Sequence, residues 1–266
     1  MPAFAANLST MFAEWEFLDR FAAAADHGFE AVEIQFPYEW RADAIQARLE
    51  REKLTLALIN APPGDAGERG LAALPDRAEA FRASIAQAKV YAEHTGAQAV
   101  HVMAGLARPG DAQAETAYVE ALRFAVERLD PAPVLIEPLN PRDMPGYFLD
   151  DFRTAARIVG GLPGVRLLFD IYHRQLLHGD VLNGLAELMP IIGHVQIASA
   201  PARAEPGSGE LNDELVLGRL DALGYRSYVG CEYKPARGTV AGLGWFSAIR
   251  RREAAMGLKS TWRERL

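Results

Sequence analysis

The sequence predicts an α/β fold, a single (β/α)8 TIM barrel. Three observations carry the prediction. Short apolar runs of strand type alternate with longer stretches of helical period, and the alternation repeats eight times. Composition shows no break along the chain, which argues for one closed barrel rather than an open sheet. No GxGxxG follows the first strand, so the mark of a doubly wound dinucleotide-binding sheet is missing. The length of 266 residues agrees, since barrels of about 250 residues form one domain. One domain is expected over residues 1–266, with the barrel at about 3–252 and a polar tail at 253–266.

The elements follow in order. Strand 3–7 precedes helix 17–27, which ends at His27-Gly28. Strand 31–35 leads to helix 42–52, and strand 55–60 to helix 76–95, which stops at His94-Thr95-Gly96. Strand 99–103 is paired with helix 111–129, strand 134–137 with helix 150–159, and strand 166–170 with helix 179–188. Strand 193–198 precedes helix 213–223, closed by Leu223-Gly224, and strand 227–232 precedes helix 239–252. Asp76, Asp150 and Asp213 stand where an N-cap carboxylate would accept the first free backbone N–H groups. Glycine after the last turn and histidine within it suit helix C-termini, so His27 and His94 are read as terminal residues rather than ligands. Three connections are longer than a turn requires: 61–75, 138–149 and 199–212. All follow strands, which in a barrel places them on the face where active sites are built.

Composition excludes several functions. The net charge is 28 − 35 = −7 and no block of Lys and Arg offers a phosphate track, so no nucleic-acid partner is expected. No apolar run reaches the roughly 18 residues a membrane span needs, and the first ten residues lack the basic and apolar regions of a secretory signal. Cys231 is the only cysteine, which excludes an intramolecular disulfide and fits a reducing, cytoplasmic compartment. Whether the chain forms a homo-oligomer stays open.

Chemistry is written at the ends of the later strands. Glu137 ends strand five, Asp170 strand six, Gln196 stands in strand seven and Glu232 ends strand eight. Three carboxylates converging without a counter-charge would repel, and some would stay protonated. A divalent cation removes the conflict. An all-oxygen set of three carboxylates and an amide suits Mg²⁺ or Mn²⁺ better than Zn²⁺, which usually takes His or Cys.

These residues also carry a resemblance. The chain resembles the hydroxypyruvate isomerases among the xylose-isomerase-like TIM barrels, a group that includes sugar epimerases and apurinic endonucleases of the second family. The resemblance runs through FAANLS (4–9), GFEAVEIQFPY (28–38), PPGDAGERG (62–70), IEPLN (136–140), FDIYHRQ (169–175), GHVQIA (193–198), EPGSGELN (205–212) and GCEYKP (230–235). It implies that Glu137, Asp170, Gln196 and Glu232 bind one divalent metal, with Glu137 and Glu232 as the acid–base pair. It implies the interconversion of hydroxypyruvate and tartronate semialdehyde, 2-hydroxy-3-oxopropanoate, which differ by a proton shift between adjacent carbons. Such a shift passes through an enediolate, which a Lewis acid stabilises while two carboxylates carry the proton. Neither a nicotinamide nor a flavin is required.

The substrate is then a small hydroxy-oxo acid. His173, three residues past Asp170 and expected in a loop, is read through the resemblance as substrate-binding. Arg203 is expected to clamp the substrate carboxylate, because guanidinium and carboxylate match bidentately. Glu205 is expected to orient Arg203, and Lys234 to supply a second positive charge. His101 is either a core residue or a pocket wall. His194, on the face of Gln196 but deeper, is expected in a hydrogen-bonded core. Asn7, Glu33 and Asn60 stand near strand ends, Trp15, Phe36, Pro37 and Tyr38 are candidates for an apolar wall, and Cys231 should face away from the barrel axis. Segments LALINAPPGD and GLGWF resemble a subgroup acting on four-carbon 2-oxo-tetronates, the alternative reading. A keto-sugar epimerase is less favoured because such enzymes place His where Gln196 stands. A non-catalytic sugar-acid binder should lack Glu137 or Glu232, and an endonuclease should carry more His.

Overall fold

The structure is a computed structural model and describes residues 2–255. The strands are β1 (Ala3–Asn7), β2 (Ala31–Ile34), β3 (Thr55–Asn60), β4 (Val100–His101), β5 (Val134–Ile136), β6 (Val165–Asp170), β7 (Ile192–Ile197) and β8 (Tyr228–Cys231). They pair in parallel in sequence order, and β8 closes on β1. The expected barrel is present. Helices α1 (Arg20–Asp26), α2 (Ala42–Glu52), α3 (Ala78–Thr95), α4 (Ala112–Leu129) and α5 (Phe152–Gly160) cover the first half. α6 (Ile171–Leu177), α7 (Val181–Leu188), α8 (Asp213–Ala222), α9 (Thr239–Gly242) and α10 (Gly244–Ala255) cover the rest. No helix among the described residues is long and apolar enough to cross a membrane. From residue 256 on, the polar tail lies outside the described residues.

Several helix starts differ from the expectation. Asp151, not Asp150, caps α5 by accepting from Thr154 N–H at 2.7 Å, and Asn212, not Asp213, caps α8 through Leu215 N–H. Asp76 lies in a single 3₁₀ turn, Pro75–Arg77, ahead of α3 and caps nothing. A cap needs the residue whose extended backbone aims its side chain back at the helix, and among neighbouring polar residues the backbone decides which one that is. The sequence reading also missed α6. His173 stands in that helix, not in a loop.

Side chains alternate between helix-facing and barrel-facing sides of each strand. The helix-facing set joins one large apolar core that includes Cys231, which therefore faces away from the barrel axis as expected. In that core Phe246 of α10 stacks on Phe29 at 4.6 Å and meets Phe4 edge-on at 5.7 Å. Aromatic pairs of this kind contribute about 0.5–1.5 kcal/mol beyond their burial.

Inside the barrel, Ala5, Ala31, Ala57 and Tyr228 pack together, one large ring filling the space three small residues leave. Leu58, Ala99, Leu135 and Leu168 form a second cluster. Two residues further along the same strand faces stand Asn7, Glu33, Asn60, His101, Glu137 and Asp170. The apolar interior thus gives way to polar groups at the carboxyl ends. On β7 a bulge sets the phase: Leu167 pairs with Ile192 but Leu168 with His194. The skipped residue is Gly193, where a Cβ would come within 2.6 Å of the Arg166 side chain. The extra residue aims His194 and Gln196 into the barrel.

The long connections lie after β3, β5 and β7, as expected. Backbone bridges Gly70–Ala104, Leu106–Tyr147 and Ser199–Ala204 tie them to neighbouring loops or close them on themselves.

Candidate functional site

A cavity of about 210 Å³ opens at the carboxyl ends of the strands. Glu137, His173, Arg203, Glu232, His101 and Asn60 contribute to its lining, with Gln35, Phe36, Arg69 and Asp143. Asp170 and Gln196 are buried just behind it, at 0% and 1% exposure.

Asp170 ends β6 and starts α6. Its Oδ1 accepts from the backbone N–H groups of Tyr172 at 2.7 Å and His173 at 3.3 Å. That cap turns Oδ2 away from the helix, toward Arg203 Nη2 at 3.8 Å and His173 Nε2 at 3.9 Å. Asn140, in the loop after β5, fixes the ring of His173, its backbone N–H donating to Nδ1 at 2.9 Å. A backbone N–H only donates, so Nδ1 accepts and the neutral ring carries its hydrogen on Nε2. Burial, with the cationic Arg203 nearby, brings the His173 pKa down to about 3, so the ring is neutral. His173 therefore presents an N–H to the site, with Nε2 3.9 Å from Glu137 Oε1.

Glu137 lies across from His101, whose Nδ1 is 3.6 Å from Oε2. Burial drives the Glu137 carboxyl well above the usual range, and Glu232 and Asp170 push it further. Burial raises Glu232 to about 7 against the opposing pull of Arg203. Asp170 is raised by burial and held back by Arg203. Burial also brings His101 down to about 3.

The carboxylates stand close together, and Arg203 supplies a counter-charge among them. Arg203, with a positive backbone φ of 52° in the loop after β7, donates from Nη2 to Glu232 Oε1 at 2.5 Å. Its Nη1 is 3.7 Å from Asp143 Oδ2, and the guanidinium covers the Tyr172 ring at 5.1 Å. Glu205 accepts from Ala236 N–H at 2.9 Å, while the carboxylates recorded beside Arg203 are Glu232, Asp170 and Asp143. Lys234 is exposed and does not line the cavity, though its backbone N–H donates to Arg203 O at 2.8 Å. Trp15 is 38% exposed and does not line it either. His101 is resolved as a pocket wall and His194 as a bonded core residue, its Nε2 on Glu33 Oε1.

Sequence reasoning missed Asn140, Asp143, Gln35 and Arg69. Asn140 and Arg69 lie in the motifs IEPLN and PPGDAGERG, and Gln35 ends the expected strand 31–35, so position marked these three. Nothing in the sequence marked Asp143.

The unsatisfied atoms of the donor set bear on its fit to a cation. Among the described residues, Glu137 Oε1, Asp170 Oδ2 and Gln196 Oε1 are buried oxygens with no hydrogen-bond partner. Leaving such an acceptor unpaired costs about 1–3 kcal/mol each, and three unsatisfied oxygens suit a hard cation that takes oxygen ligands. Glu137, Asp170 and His173 also place one potential ligand atom each within 4.8 Å of one another. The hydrogen on His173 Nε2 removes that nitrogen as a ligand and favours the all-oxygen set.

Comparisons with known proteins agree with this architecture. A family profile described as "Xylose isomerase-like TIM barrel" matches residues 21–249. The 2-oxo-tetronate isomerase of Cupriavidus necator is 51% identical, covering 92% of this chain and 97% of its own. The hydroxypyruvate isomerase of Escherichia coli is 39% identical, covering 94% and 100%. A crystal structure titled AP endonuclease, family 2, from Brucella melitensis superposes with a TM-score of 0.91 at 44% identity, covering 93% and 99%.

Proposed function

Because the chain belongs to the xylose isomerase-like TIM barrel family, we propose that it interconverts the 2-oxo and 3-oxo forms of a short hydroxy acid. It is an enzyme, an isomerase, by its likeness to isomerases over nearly its whole length. Its substrate is a small molecule. The class contains hydroxypyruvate and the 2-oxo-tetronates, which share the reacting pair of carbons and differ by one hydroxymethyl group. The 51% identity to a 2-oxo-tetronate isomerase favours the four-carbon acid. The relative named hydroxypyruvate isomerase, at 39% identity, keeps the three-carbon acid as the second reading.

The observation that carries the reading is the trio of unpartnered buried oxygens beside a neutral His N–H. Glu137, Asp170, Gln196 and Glu232 would hold one Mg²⁺ or Mn²⁺. Such a cation supplies Lewis-acid stabilisation of negative charge on the substrate oxygens. The chain does the rest. Glu137, one residue past β5, and Glu232, one residue past β8, flank the cavity, and one takes the proton from one carbon while the other returns a proton to its neighbour. His173 Nε2–H donates to a substrate oxygen as charge develops there. Arg203 keeps Glu232 in place and offers a cation to an acidic substrate. Phe36, Leu139 and Met144 narrow the apolar side of the cavity and exclude water.

The test is proton-exchange NMR on purified protein with hydroxypyruvate and with 2-oxo-tetronates, with and without Mg²⁺. Metal-dependent solvent-proton exchange at the hydroxyl-bearing carbon next to the carbonyl, with interconversion, is expected. No exchange with any of these acids would remove the isomerase reading. Exchange that survives chelation would remove the metal.

A further inference from the structure

Below the site, at 1% exposure, lies a carboxylate that does not line the cavity and that the proposed reaction leaves unused. It is Glu33 on β2. Three side-chain donors converge on it. His194 Nε2 meets Oε1, while Asn7 Nδ2 at 3.1 Å and Gln196 Nε2 at 2.8 Å donate to Oε2. The barrel makes room for it at β8, which is separated from β2 only by β1: a Cβ at Gly230 would come within 1.9 Å of Glu33 Oε1.

The arrangement decides which way Gln196 faces. Its Nε2 is 2.8 Å from Glu33 Oε2 and also 2.8 Å from Glu232 Oε2. Carboxylates accept hydrogen bonds, so the amide must turn both N–H groups to this pair. The reverse orientation would set the amide oxygen against two carboxylate oxygens. The oxygen of Gln196 is thereby driven to the remaining direction, where it is buried and has no partner among the described residues. Asn7 Nδ2 bridges the same two carboxylates, at 3.1 Å from Glu33 and 3.4 Å from Glu232. With Glu232 alone as acceptor, one amide hydrogen would be unsatisfied and the flipped amide would compete.

We infer that Glu33 is a positioning residue: it holds the amide nitrogen of Gln196 and so presents Gln196 Oε1 to the divalent cation. The inference rests on the metal reading above. It accounts for an amide among three carboxylates, since an amide ligand delivers its oxygen only if its nitrogen is held elsewhere. Outer partners of this kind typically change metal affinity by about 10- to 100-fold when altered.

Mn²⁺ binding to the full-length protein, read by calorimetry and by electron paramagnetic resonance, tests it alongside thermal unfolding. Glu33→Gln keeps the size but offers one acceptor oxygen to three donors, which frees the Gln196 amide to turn. Mn²⁺ affinity is expected to fall about 10-fold or more. In a Gln196→Glu background the ligand presents oxygen in either orientation, so adding Glu33→Gln should change Mn²⁺ affinity less than about 3-fold. If Glu33→Gln does not fold, Glu33→Asp carries the test, because a carboxylate withdrawn by one methylene should also weaken Mn²⁺ binding. A merely structural role predicts lower unfolding temperatures in both backgrounds with Mn²⁺ affinity unchanged, and that result overturns the inference. Wild-type protein that binds no Mn²⁺ refutes the metal reading itself, and the inference with it.

Discussion

Arg203 Nη2 stands 2.5 Å from Glu232 Oε1 and 3.8 Å from Asp170 Oδ2, so the guanidinium beside the cavity is held by the protein's own carboxylates. It neutralises part of an acidic cluster and still lines the space where substrate would lie.

This gives Arg203 two separable roles. As the substrate's anchor, its removal should cost roughly 2–5 kcal/mol of binding to a carboxylate. Arg203→Ala should then raise KM for hydroxypyruvate or a 2-oxo-tetronate far more than for an uncharged ketose. Arg203→Lys should recover only part, because an ammonium lacks the planar fork. Equal losses on charged and neutral substrates would mean that Arg203 serves Glu232 alone.

Metal-soaked crystals should show one ion bound by Glu137, Asp170, Gln196 and Glu232, with oxygen distances of roughly 2.0–2.3 Å. Chelation should abolish turnover and Mg²⁺ or Mn²⁺ restore it. An ion seated on His173 instead would contradict both the ligand set and the ring's tautomer.

Glu137→Gln and Glu232→Gln should each lower kcat by on the order of 10²-fold or more with the fold intact. The amide keeps the shape and an oxygen but cannot take a proton from carbon. Near-normal turnover of either variant with metal bound would move the proton transfer to another group.

The buried carboxyls also predict how metal-free protein responds to pH. In the fold, Glu232 is raised to about 7 and Glu137 well above its ordinary value, so the native state keeps protons that the unfolded chain has released. Stability then falls as pH rises through the folded values. His101 and His173, lowered to about 3, act oppositely, but only below their unfolded value of about 6.5. The unfolding temperature of chelated protein should therefore fall as pH rises from about 6.5 through about 7, and Mn²⁺ should flatten that slope. A metal-free profile that rises across this window would contradict the raised carboxyls.

The barrel was legible because strand and helix periods are local. Each observed strand overlaps an expected one with ends within a few residues, as in 99–103 against Val100–His101. α6 was not legible, since Asp170 ends a strand and caps a helix with nothing between to punctuate the change. The site divides along the same line. Glu137, Asp170, Gln196 and Glu232 show themselves by strand position, but the partners of Arg203 and Glu33 depend on contacts 26 to 163 residues apart along the chain. Such pairings are set by closure of the barrel, which no local pattern encodes.

The two oxygens of Asp170 have different employers, and this governs how the residue can be dissected genetically. Oδ1 holds the first turn of α6, and Oδ2 faces the site. An alanine there would confound a folding defect with a chemical one, because the helix it unseats is the one that carries His173. Asparagine can keep its oxygen on the helix while placing an amide where the second carboxylate oxygen was. Asp170→Asn should thus lose metal affinity with little change in unfolding temperature, whereas Asp170→Ala should lose both. The gap between the two variants measures the cap by itself, expected at about 0.5–2 kcal/mol.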